Sequence, residues 1–316
     1  MELKRIIEFQ VGEKIEGFFL IKSLELKTSS NNKKYLDLNL CDSTGDINAK
    51  LWEYEEGDET KYTASNLIKV RGSISAWNNA LQLKIERIRQ VTPLDEVKVE
   101  DFVPVAPLEA EFMYKEILSY TENMQNIHMK NIVLTILTES HDKLMHYPAA
   151  KKNHHSIKSG LLYHVLTMLR AGEKLSEIYT FINKDLLYSG IILHDIAKLE
   201  EMDANELGIV AEYTMEGQLL GHITQGIKKI ELVAEAVKAD RETTVLLQHM
   251  VLSHHYEPEY GSPVKPMLPE AELLHHLDII DARMYDMKRV AGEIEAGSFS
   301  DRVYSLDNRK LYKPSL

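Results

Sequence analysis

The sequence predicts a multidomain protein of α and β structure, in which a small β-barrel precedes an all-helical domain. The hydrophobic pattern has a period of two up to about residue 91, and apolar residues recur at spacings of three and four from about residue 108. The chain of 316 residues also exceeds the size, about 250 to 300 residues, at which a single hydrophobic core usually stops growing. Two domains are therefore expected.

The barrel is predicted from five short runs in which polar and apolar residues alternate. The runs are EGFFLIKSLEL, KKYLDLNLCD, GDINAKLWEY, NLIKVRGSISAW and ALQLKIERIRQV, and turn-forming stretches such as TSSNNK and DSTGD separate them. Five strands at this spacing match the Greek-key barrel called the OB-fold. We predict an OB-fold domain over residues 1–92 and a linker over residues 93–107, where prolines and acidic residues are frequent.

Residues 108–316 are predicted to form an all-helical domain. Segments such as NIVLTILTESHDKLM, GLLYHVLTMLRAGEKLSEIY and PEAELLHHLDIIDARMYDMKRV carry apolar residues at helical spacing. Pro269 followed by Glu270 is typical of a helix start, because proline suits the first turn and an acid suits the positive end of the helix dipole.

Composition limits the classes of function. No stretch approaches the roughly 18 consecutive apolar residues of a membrane span, and the N-terminus lacks the apolar region of a signal peptide. We therefore expect a cytoplasmic protein with no membrane partner. The single cysteine, Cys41, excludes a disulfide framework and a cysteine-based zinc cluster. The net charge of −12 lies entirely after residue 91, yet a bound divalent metal can still attract phosphate to an acidic domain.

Histidines are concentrated in the predicted helical domain, and several lie on or at the end of apolar segments. Together with two aspartates they form a candidate ligand set of His164, His194, Asp195, His222, His254, His255 and Asp278. A buried polar group must be paired or coordinated, because leaving it unsatisfied costs about 1 to 3 kcal/mol, and more for a charge. A lone histidine is often an ordinary core residue, but two adjacent pairs and three single residues together indicate metal binding.

The ligand types indicate the chemistry. Imidazole and carboxylate ligands without thiolate suit Mn²⁺, Co²⁺, Fe²⁺, Zn²⁺ or Mg²⁺ alike. Among these ions we expect Mn²⁺. Neighbouring residues on a helix differ by about 100°, so His194 and Asp195 would bind different ions, or Asp195 would bridge two. Two-metal sites activate water and stabilise phosphoryl transfer, which makes phosphoester hydrolysis the expected reaction. The number of bound ions, one or two, stays open at this point.

The order H…HD…H…HH…D resembles that of the HD-domain metal-dependent phosphohydrolases. The segments YPAAKKNHH, GLLYHV, GIILHDIAKLEE, GQLLGHI and LSHHYEPEYGSPVKPMLPEAELLHHLDIIDARM, after a barrel that contains FFLIKS and GDINAKLW, resemble the YhaM family of bacterial 3′-to-5′ exoribonucleases. The resemblance covers nearly the whole chain. It implies one ion bound by His164, His194, Asp195 and Asp278, and a second bound by Asp195, His222, His254 and His255.

The resemblance also implies roles for residues near the ligands. Asp195 and Lys198 would be the catalytic residues, and Lys198, the lysine of H-D-x-x-K, would contact the substrate phosphate. A solvated lysine at a helix end is the alternative for Lys198. His154 and His155 precede the helix that carries the first ligand and are candidates for substrate binding, with capping or surface roles as alternatives.

Asp281 lies three residues after Asp278 and faces the same way on a helix. We expect it to orient a ligand histidine rather than to bind metal. Five further histidines of this region fit no position in the pattern and are interpreted as structural or surface residues: His128, His141, His146, His275 and His276.

The barrel is the predicted RNA-binding surface. OB-folds bind single strands by stacking bases on aromatic side chains beside basic residues, and each stack contributes about 1 to 3 kcal/mol. The candidates are Lys33, Tyr35, Lys50, Trp52 and Trp77. Any one of these side chains could instead only cover an edge of the barrel.

The patterns predict a metal-dependent phosphoesterase, and the resemblance implies a 3′-to-5′ exoribonuclease that hydrolyses single-stranded RNA with metal-activated water; single-stranded DNA is a further candidate substrate. Two alternatives stay open. The HD domain could hydrolyse nucleotides or cyclic dinucleotides, or it could be structural in a nucleic-acid-binding protein. A homo-oligomer is also open, since the apolar stretch IVLTIL could serve subunit contact.

Overall fold

The computed structural model describes residues 4–77, 80–151 and 155–316, and the chain divides into two compact units, Met1–Val105 and Ala106–Leu316. Each unit has its own hydrophobic core. The first is a closed β-barrel and the second is mainly helical, so the predicted fold class is confirmed. Within the described ranges, no helix has both the length and the hydrophobicity that crossing a membrane requires.

Five strands of the first unit close into a barrel in the order β1-β2-β3-β5-β4, which is the OB-fold order. They are β1 (Lys14–Thr28), β2 (Lys34–Asp42), β3 (Gly45–Leu51), β4 (Leu67–Trp77) and β5 (Ala80–Gln90), with the short helix α1 (Asp58–Lys61) between β3 and β4. The β3–β5 pair is parallel and the other pairs are antiparallel. Alternate side chains point inward, as in β2, where Leu36, Leu38 and Leu40 are fully buried.

The predicted linker, residues 93–107, contains two short 3₁₀ turns, Pro93–Asp95 and Val99–Phe102. Most of this segment belongs to the first unit. In particular, Asp95 Oδ1 forms an ion pair of 2.6 Å with Arg89 of β5. The segment thus contributes contacts to the barrel unit, and the domain boundaries at residues 92 and 107 stay predictions.

The second unit packs its helices around an apolar core. They are α2 (Ala110–Glu122), α3 (Ile127–Leu144), α4 (Gly160–Ile178), α5 (Lys184–Leu193), α6 (Lys198–Glu201), α7 (Met215–Ala236), α8 (Arg241–Ser253) and α9 (Pro269–Glu293). Helix α5 contacts α2, α3, α4, α8 and α9, and every residue from 186 to 193 is buried. The residues that follow α5 are therefore delivered to the centre of the unit.

A two-stranded hairpin departs from the all-helical prediction. Strands β6 (Met202–Ala204) and β7 (Val210–Tyr213) lie between α6 and α7 and pair antiparallel. Strands of three and four residues are too short for a period of two to be distinguished from a helical pattern, which is why the sequence pattern did not reveal them.

Candidate metal centre

Both adjacent pairs of predicted ligands, which were expected on or at the end of apolar segments, lie immediately after a helix. Helix α5 ends one residue before His194, and α8 ends one residue before His254. Carbonyl groups at a helix end have no partner within the helix. His194 Nδ1 donates to the carbonyl of Ile191 at 2.8 Å, and His254 Nδ1 donates to that of Val251 at 2.7 Å. In both rings Nε2 is therefore left as the atom that can bind a metal.

His222 lies directly after a break in α7. Gly221 has φ 69° and ψ 166°, a conformation that glycine adopts without steric cost. The break frees the backbone N–H of His222, which donates to Glu201 Oε1 at 3.0 Å, and the ring Nδ1 lies 3.1 Å from the same oxygen. Helix α7 approaches Glu201, at the end of α6, very closely. A Cβ at Gly217 would lie only 2.1 Å from the carbonyl oxygen of Glu201. Glu201 thus orients His222.

The ligand side chains form two clusters that share Asp195. We call them the Asp278 cluster (His164, His194, Asp195 and Asp278) and the His222 cluster (Asp195, His222, His254 and His255). Ligand atoms of the first three residues of the Asp278 cluster, and of all four residues of the His222 cluster, lie within 4.8 Å of one another. Ligands on opposite sides of a bound ion are about 4 Å apart when each metal–ligand distance is about 2.0 to 2.2 Å. Both clusters therefore have the size of a metal site.

The Asp278 cluster is linked by short polar contacts. His164 Nε2 lies 3.3 Å from Asp278 Oδ1 and 3.3 Å from His194 Nε2. Burial disfavours the charged ring, but the hydrogen bonds to Asp278 and Asp281 outweigh it and raise the pKa of His164 to about 10. A proton on this ring occupies the position that a cation would need, and metal binding would release it.

Asp281 joins His164 to His155. Its Oδ2 lies 2.8 Å from His164 Nδ1 and 2.7 Å from His155 Nε2. Because a carboxylate accepts, it holds the Nδ1–H of His164 and leaves Nε2 toward the cluster, which fits the orienting role expected of Asp281. His155 is 1% exposed, and its Nε2 is engaged by Asp281. The substrate contact expected of His155 therefore stays a prediction. His154 lies outside the described residues.

The His222 cluster contains buried atoms that form no hydrogen bond with any residue that the structure describes. They are Asp195 Oδ1, His222 Nε2 and His254 Nε2. The two nitrogens lie 3.3 and 3.9 Å from Asp195 Oδ1. Burial, together with His255 and His194, holds the pKa of His254 well below its usual value, so the ring is neutral and its Nε2 lone pair is available. Native proteins rarely leave buried polar atoms unsatisfied, and a divalent cation fits this set of donors.

Lys198 begins α6, and its ammonium group lies 2.6 Å from Asp195 Oδ2. Its side chain is 13% exposed, so the alternative of a solvated helix-end lysine is wrong. Burial disfavours its charge, but the carboxylate of Asp195 outweighs burial and raises the pKa of Lys198. Burial likewise opposes the charge on Asp195, but Lys198 and His194 hold the pKa of this carboxyl well below its usual range. Asp195 is therefore ionised.

The two clusters open into a cavity of about 840 Å³. The ligands His222, His254, His255 and Asp278 line it, together with Lys198. Its wall also contains aromatic and charged side chains, namely Tyr213, Tyr256, Tyr260, His275, His276 and Arg283 together with the acidic Glu201, Glu257 and Glu272. Ligand pockets typically measure about 300 to 1,000 Å³, so the metal-binding atoms face a space that holds a small organic ligand.

Comparison with known proteins identifies the family. Residues 161–283 match the model of the HD domain. Relatives from Listeria welshimeri, Geobacillus sp. strain WCH70 and Oceanobacillus iheyensis, each named 3′-5′ exoribonuclease YhaM, are 41%, 43% and 42% identical to the chain. These alignments cover 99%, 98% and 99% of this chain and 99%, 95% and 98% of the relatives. The chain belongs to the YhaM family.

Membership confirms the resemblance that the motifs indicated. All seven predicted ligands fall within the matched HD segment. Since the HD domain is a metal-dependent phosphohydrolase domain, this YhaM-family chain is a hydrolase that depends on a divalent metal.

Solved structures similar to this YhaM-family chain include the second OB-fold domain of replication protein A from Methanococcus maripaludis and the mitochondrial single-stranded DNA binding protein Rim1 from S. cerevisiae. They are 15% and 21% identical to the chain, each with a TM-score of 0.23. The matches cover 28% and 26% of this chain and 95% and 97% of those chains.

The predicted RNA-contacting residues of the barrel differ in exposure. Tyr35 and Trp52 stack with ring centroids 4.5 Å apart, and Lys50 Nζ lies 5.1 and 5.8 Å from the two centroids. Trp52 is 42% exposed, whereas Tyr35 is 9% exposed because Trp52 covers it. Lys33 is exposed, and the side chain of Trp77 lies outside the part of the chain that the structure describes. Trp52 is thus the aromatic side chain of the stacked pair that is open to a ligand.

Sequence reasoning missed several residues of the site in this YhaM-family chain. Glu201 is one, and His275 is another, because its Nδ1 donates to the carbonyl of His254 at 2.7 Å and its side chain lines the cavity. His275 lies three residues before Asp278 on α9, and this helical spacing is the signal that could have found it. Arg283 also lines the cavity, and no signal in the sequence distinguished it from other surface arginines.

Proposed function

We propose that the protein is a 3′-5′ exonuclease that hydrolyses single-stranded RNA at a two-metal site, with single-stranded DNA as a second candidate substrate. The observation that carries this proposal is the pair of ligand clusters that share Asp195 and face a cavity of about 840 Å³. The names of the relatives support RNA as the substrate and the 3′ end as the point of attack.

The Asp278 cluster would hold one ion and the His222 cluster the other, with Asp195 between them. Mn²⁺ is the proposed ion; ligands that combine imidazole and carboxylate without thiolate suit it, and they equally suit the alternatives Co²⁺, Fe²⁺, Zn²⁺ and Mg²⁺. When bound, the two divalent ions would supply an activated water and would neutralise negative charge on the attacking and leaving oxygens.

The protein's own side chains supply orientation and charge. Carbonyl and carboxylate groups hold the Nδ1 atoms of His194, His222 and His254, so that the Nε2 lone pairs are available. Lys198 uses one of its three N–H groups on Asp195 and lines the cavity, so another can donate to a phosphate oxygen. With its low pKa, Asp195 stays a carboxylate and does not deliver a proton at neutral pH.

The activity is tested with single-stranded RNA that carries a label at its 5′ or its 3′ end, in Mn²⁺ and in chelator. An exonuclease that acts from the 3′ end releases the 3′ label at once as a mononucleotide and shortens the 5′-labelled strand stepwise. Chelator should stop both reactions. If both oligonucleotides stay intact, the proposal is wrong, and free nucleotides or cyclic dinucleotides become the substrates to test in the same buffer.

We propose that the barrel binds the single strand. Trp52 is half-exposed beside Lys50, and this pairing suits a stacked base next to a backbone phosphate. Trp52→Ala should lower RNA affinity by about 1 to 3 kcal/mol, measured by fluorescence anisotropy in chelator. The matched control is Phe181→Ala, which removes a 72% exposed aromatic side chain from the helical unit and should leave affinity unchanged. Equal affinities for the two variants would contradict the role of Trp52.

Lys33, Tyr35 and Trp77 remain candidate contacts in the same barrel, and His154 and His155 remain candidates in the helical unit. The cytoplasmic location and the homo-oligomer also stay predictions. Neither is needed for the chemistry proposed here.

A further inference from the structure

A second basic surface lies on the barrel, on strands other than those that carry the stacked aromatic pair. A cleft of about 440 Å³ is lined by Lys69, Arg71, Arg87 and Arg89, with Glu16 as the acidic residue of its lining. The four cations belong to β4 and β5, whereas the aromatic pair belongs to β2 and to the residue directly after β3. Nothing in the proposed hydrolysis accounts for this concentration of positive charge.

Two of the four cations have acidic partners. Lys69 Nζ lies 2.8 Å from Glu16 Oε1, and this ion pair lowers the pKa of Glu16. Arg89 pairs with both carboxylate oxygens of Asp95, at 2.6 and 2.8 Å. The charges of Lys69 and Arg89 are therefore neutralised by their acidic partners. The two other cations of the cleft are arginines.

Arg71 and Arg87 lack such compensation. They are direct cross-strand partners in the β4–β5 ladder, and neither forms an ion pair among the side chains that the structure describes. Glu16, opposite Arg71 on β1, is engaged by Lys69. Arg71 Nε is buried and has no hydrogen-bond partner among the described residues. Like charges opposite each other and an unpaired buried donor both destabilise a sheet, and an anion bound between the guanidinium groups would remove both effects.

A β-bulge places Arg87 on the outer face. Arg71 pairs with Arg87 while the next residue, Gly72, pairs with Ile85, so Glu86 is an extra residue in β5. If β5 were regular and had no bulge, Arg87, two residues after the buried Ile85, would point into the barrel. Bulges often re-aim a side chain next to a functional site. This irregularity is what brings the two arginines together.

We propose that this cleft binds phosphodiester groups of the RNA backbone and is a second nucleic-acid surface of the barrel. The inference rests on the proposed function, because RNA is the polyanion which that function provides. A guanidinium group binds phosphate oxygens through two parallel hydrogen bonds, which suits the opposed pair. Lys84 is exposed on β5 and lies opposite Lys50 of β3. It therefore adds a positive charge between the aromatic pair and the cleft. Strands lie about 4.8 Å apart, so β3 and β4 are separated by roughly 10 Å, a distance that a short single strand spans.

The test measures binding of a fluorescein-labelled single-stranded RNA by the full-length protein in chelator, over a series of salt concentrations. The variants are Arg71→Gln with Arg87→Gln, and Arg87→Gln alone, because Arg87 is exposed and its loss should leave the fold intact. Each lost phosphate contact should lower affinity about fivefold at 0.1 M salt and reduce the log–log salt slope by about 0.7. The matched control replaces Arg170 and Arg241, two exposed, ion-paired arginines of the helical unit, with glutamine and should behave as wild type.

Unchanged affinity and salt slope in folded variants would overturn the proposal, and thermal melting establishes that they are folded. If the double variant unfolds, Arg87→Gln decides alone. Inorganic phosphate at constant ionic strength separates the two sources of phosphate. If Arg87→Gln weakened the binding of inorganic phosphate but not of RNA, the cleft would serve a free anion and the proposal would be wrong. Because binding in chelator needs no hydrolysis, a wild-type protein inactive on RNA would sink the proposed function and leave this binding result standing.

Discussion

The Asp278 cluster and the His222 cluster share Asp195, but they differ in how their buried polar atoms are satisfied. In the Asp278 cluster, His164 Nε2 has Asp278 and His194 at 3.3 Å. In the His222 cluster, three buried atoms have no hydrogen-bond partner among the described residues, although His222 Nε2 lies 3.3 Å from Asp195 Oδ1. Side chains that contact each other keep their arrangement without an ion, whereas unpaired buried atoms are costly until an ion binds. We infer that the His222 cluster gains more from metal than the Asp278 cluster does.

The largest effect is expected from the residue that the clusters share. Asp195→Ala removes a ligand from both and should lower the rate of RNA hydrolysis by at least about a thousandfold, equivalent to roughly 4 kcal/mol of transition-state stabilisation. The rate is measured by single-turnover kinetics in Mn²⁺. The control, Asp142→Ala, removes a fully exposed carboxylate and should retain activity. Undiminished hydrolysis by the Asp195 variant would show that the site is elsewhere.

Metal binding should stabilise the fold, because it satisfies the unpaired atoms of the His222 cluster. Mn²⁺ at about 100 times its dissociation constant should add about 2.7 kcal/mol to the free energy of unfolding per ion. The melting temperature, recorded by calorimetry in Mn²⁺ and in chelator, measures this effect. His222→Ala should lose more of the stabilisation than Asp278→Ala does. The reverse order would contradict the inferred difference between the clusters.

The residues that orient the ligands offer a smaller, finer test. Glu201→Gln weakens the support of His222, and Asp281→Asn weakens that of His164. Each variant should reduce the affinity of one ion by about 10- to 100-fold, which is typical when a hydrogen-bond partner of a ligand is lost. Mn²⁺ titration by calorimetry resolves the ions. If both variants weakened the same ion, the division into two clusters would not hold.

Much of the fold could be predicted because its elements are long. The five barrel strands have 7 to 15 residues, long enough for alternation to be visible. Strands β6 and β7 are too short for that. The burial of Tyr35 could not be predicted either. Alternation predicts that its side chain points outward, but it does not predict that Trp52 covers it.

The ligand set could be predicted because polar residues on apolar helical segments stand out, and the resemblance to a family grouped them. The hydrogen bonds that the rings of His194 and His254 make to carbonyl groups at the helix ends could not, because a periodic pattern does not show side-chain orientation. Glu201 contacts a residue 21 positions away, and that contact depends on the break at Gly221. The basic cleft depends on a bulge, which changes the apolar spacing in β5 from two residues (Leu83 to Ile85) to three (Ile85 to Ile88). A single change of spacing does not reveal which residues become cross-strand partners, so the pairing of Arg71 with Arg87 could not be predicted.

The central claim is that two ions bind on either side of Asp195. Anomalous scattering from crystals of the Mn²⁺-loaded protein tests it most directly, because it locates each ion independently of activity. We predict two peaks, one in the Asp278 cluster and one in the His222 cluster, each within coordination distance of Asp195. A single peak in fully loaded crystals, or peaks that Asp195 does not contact, would contradict the account.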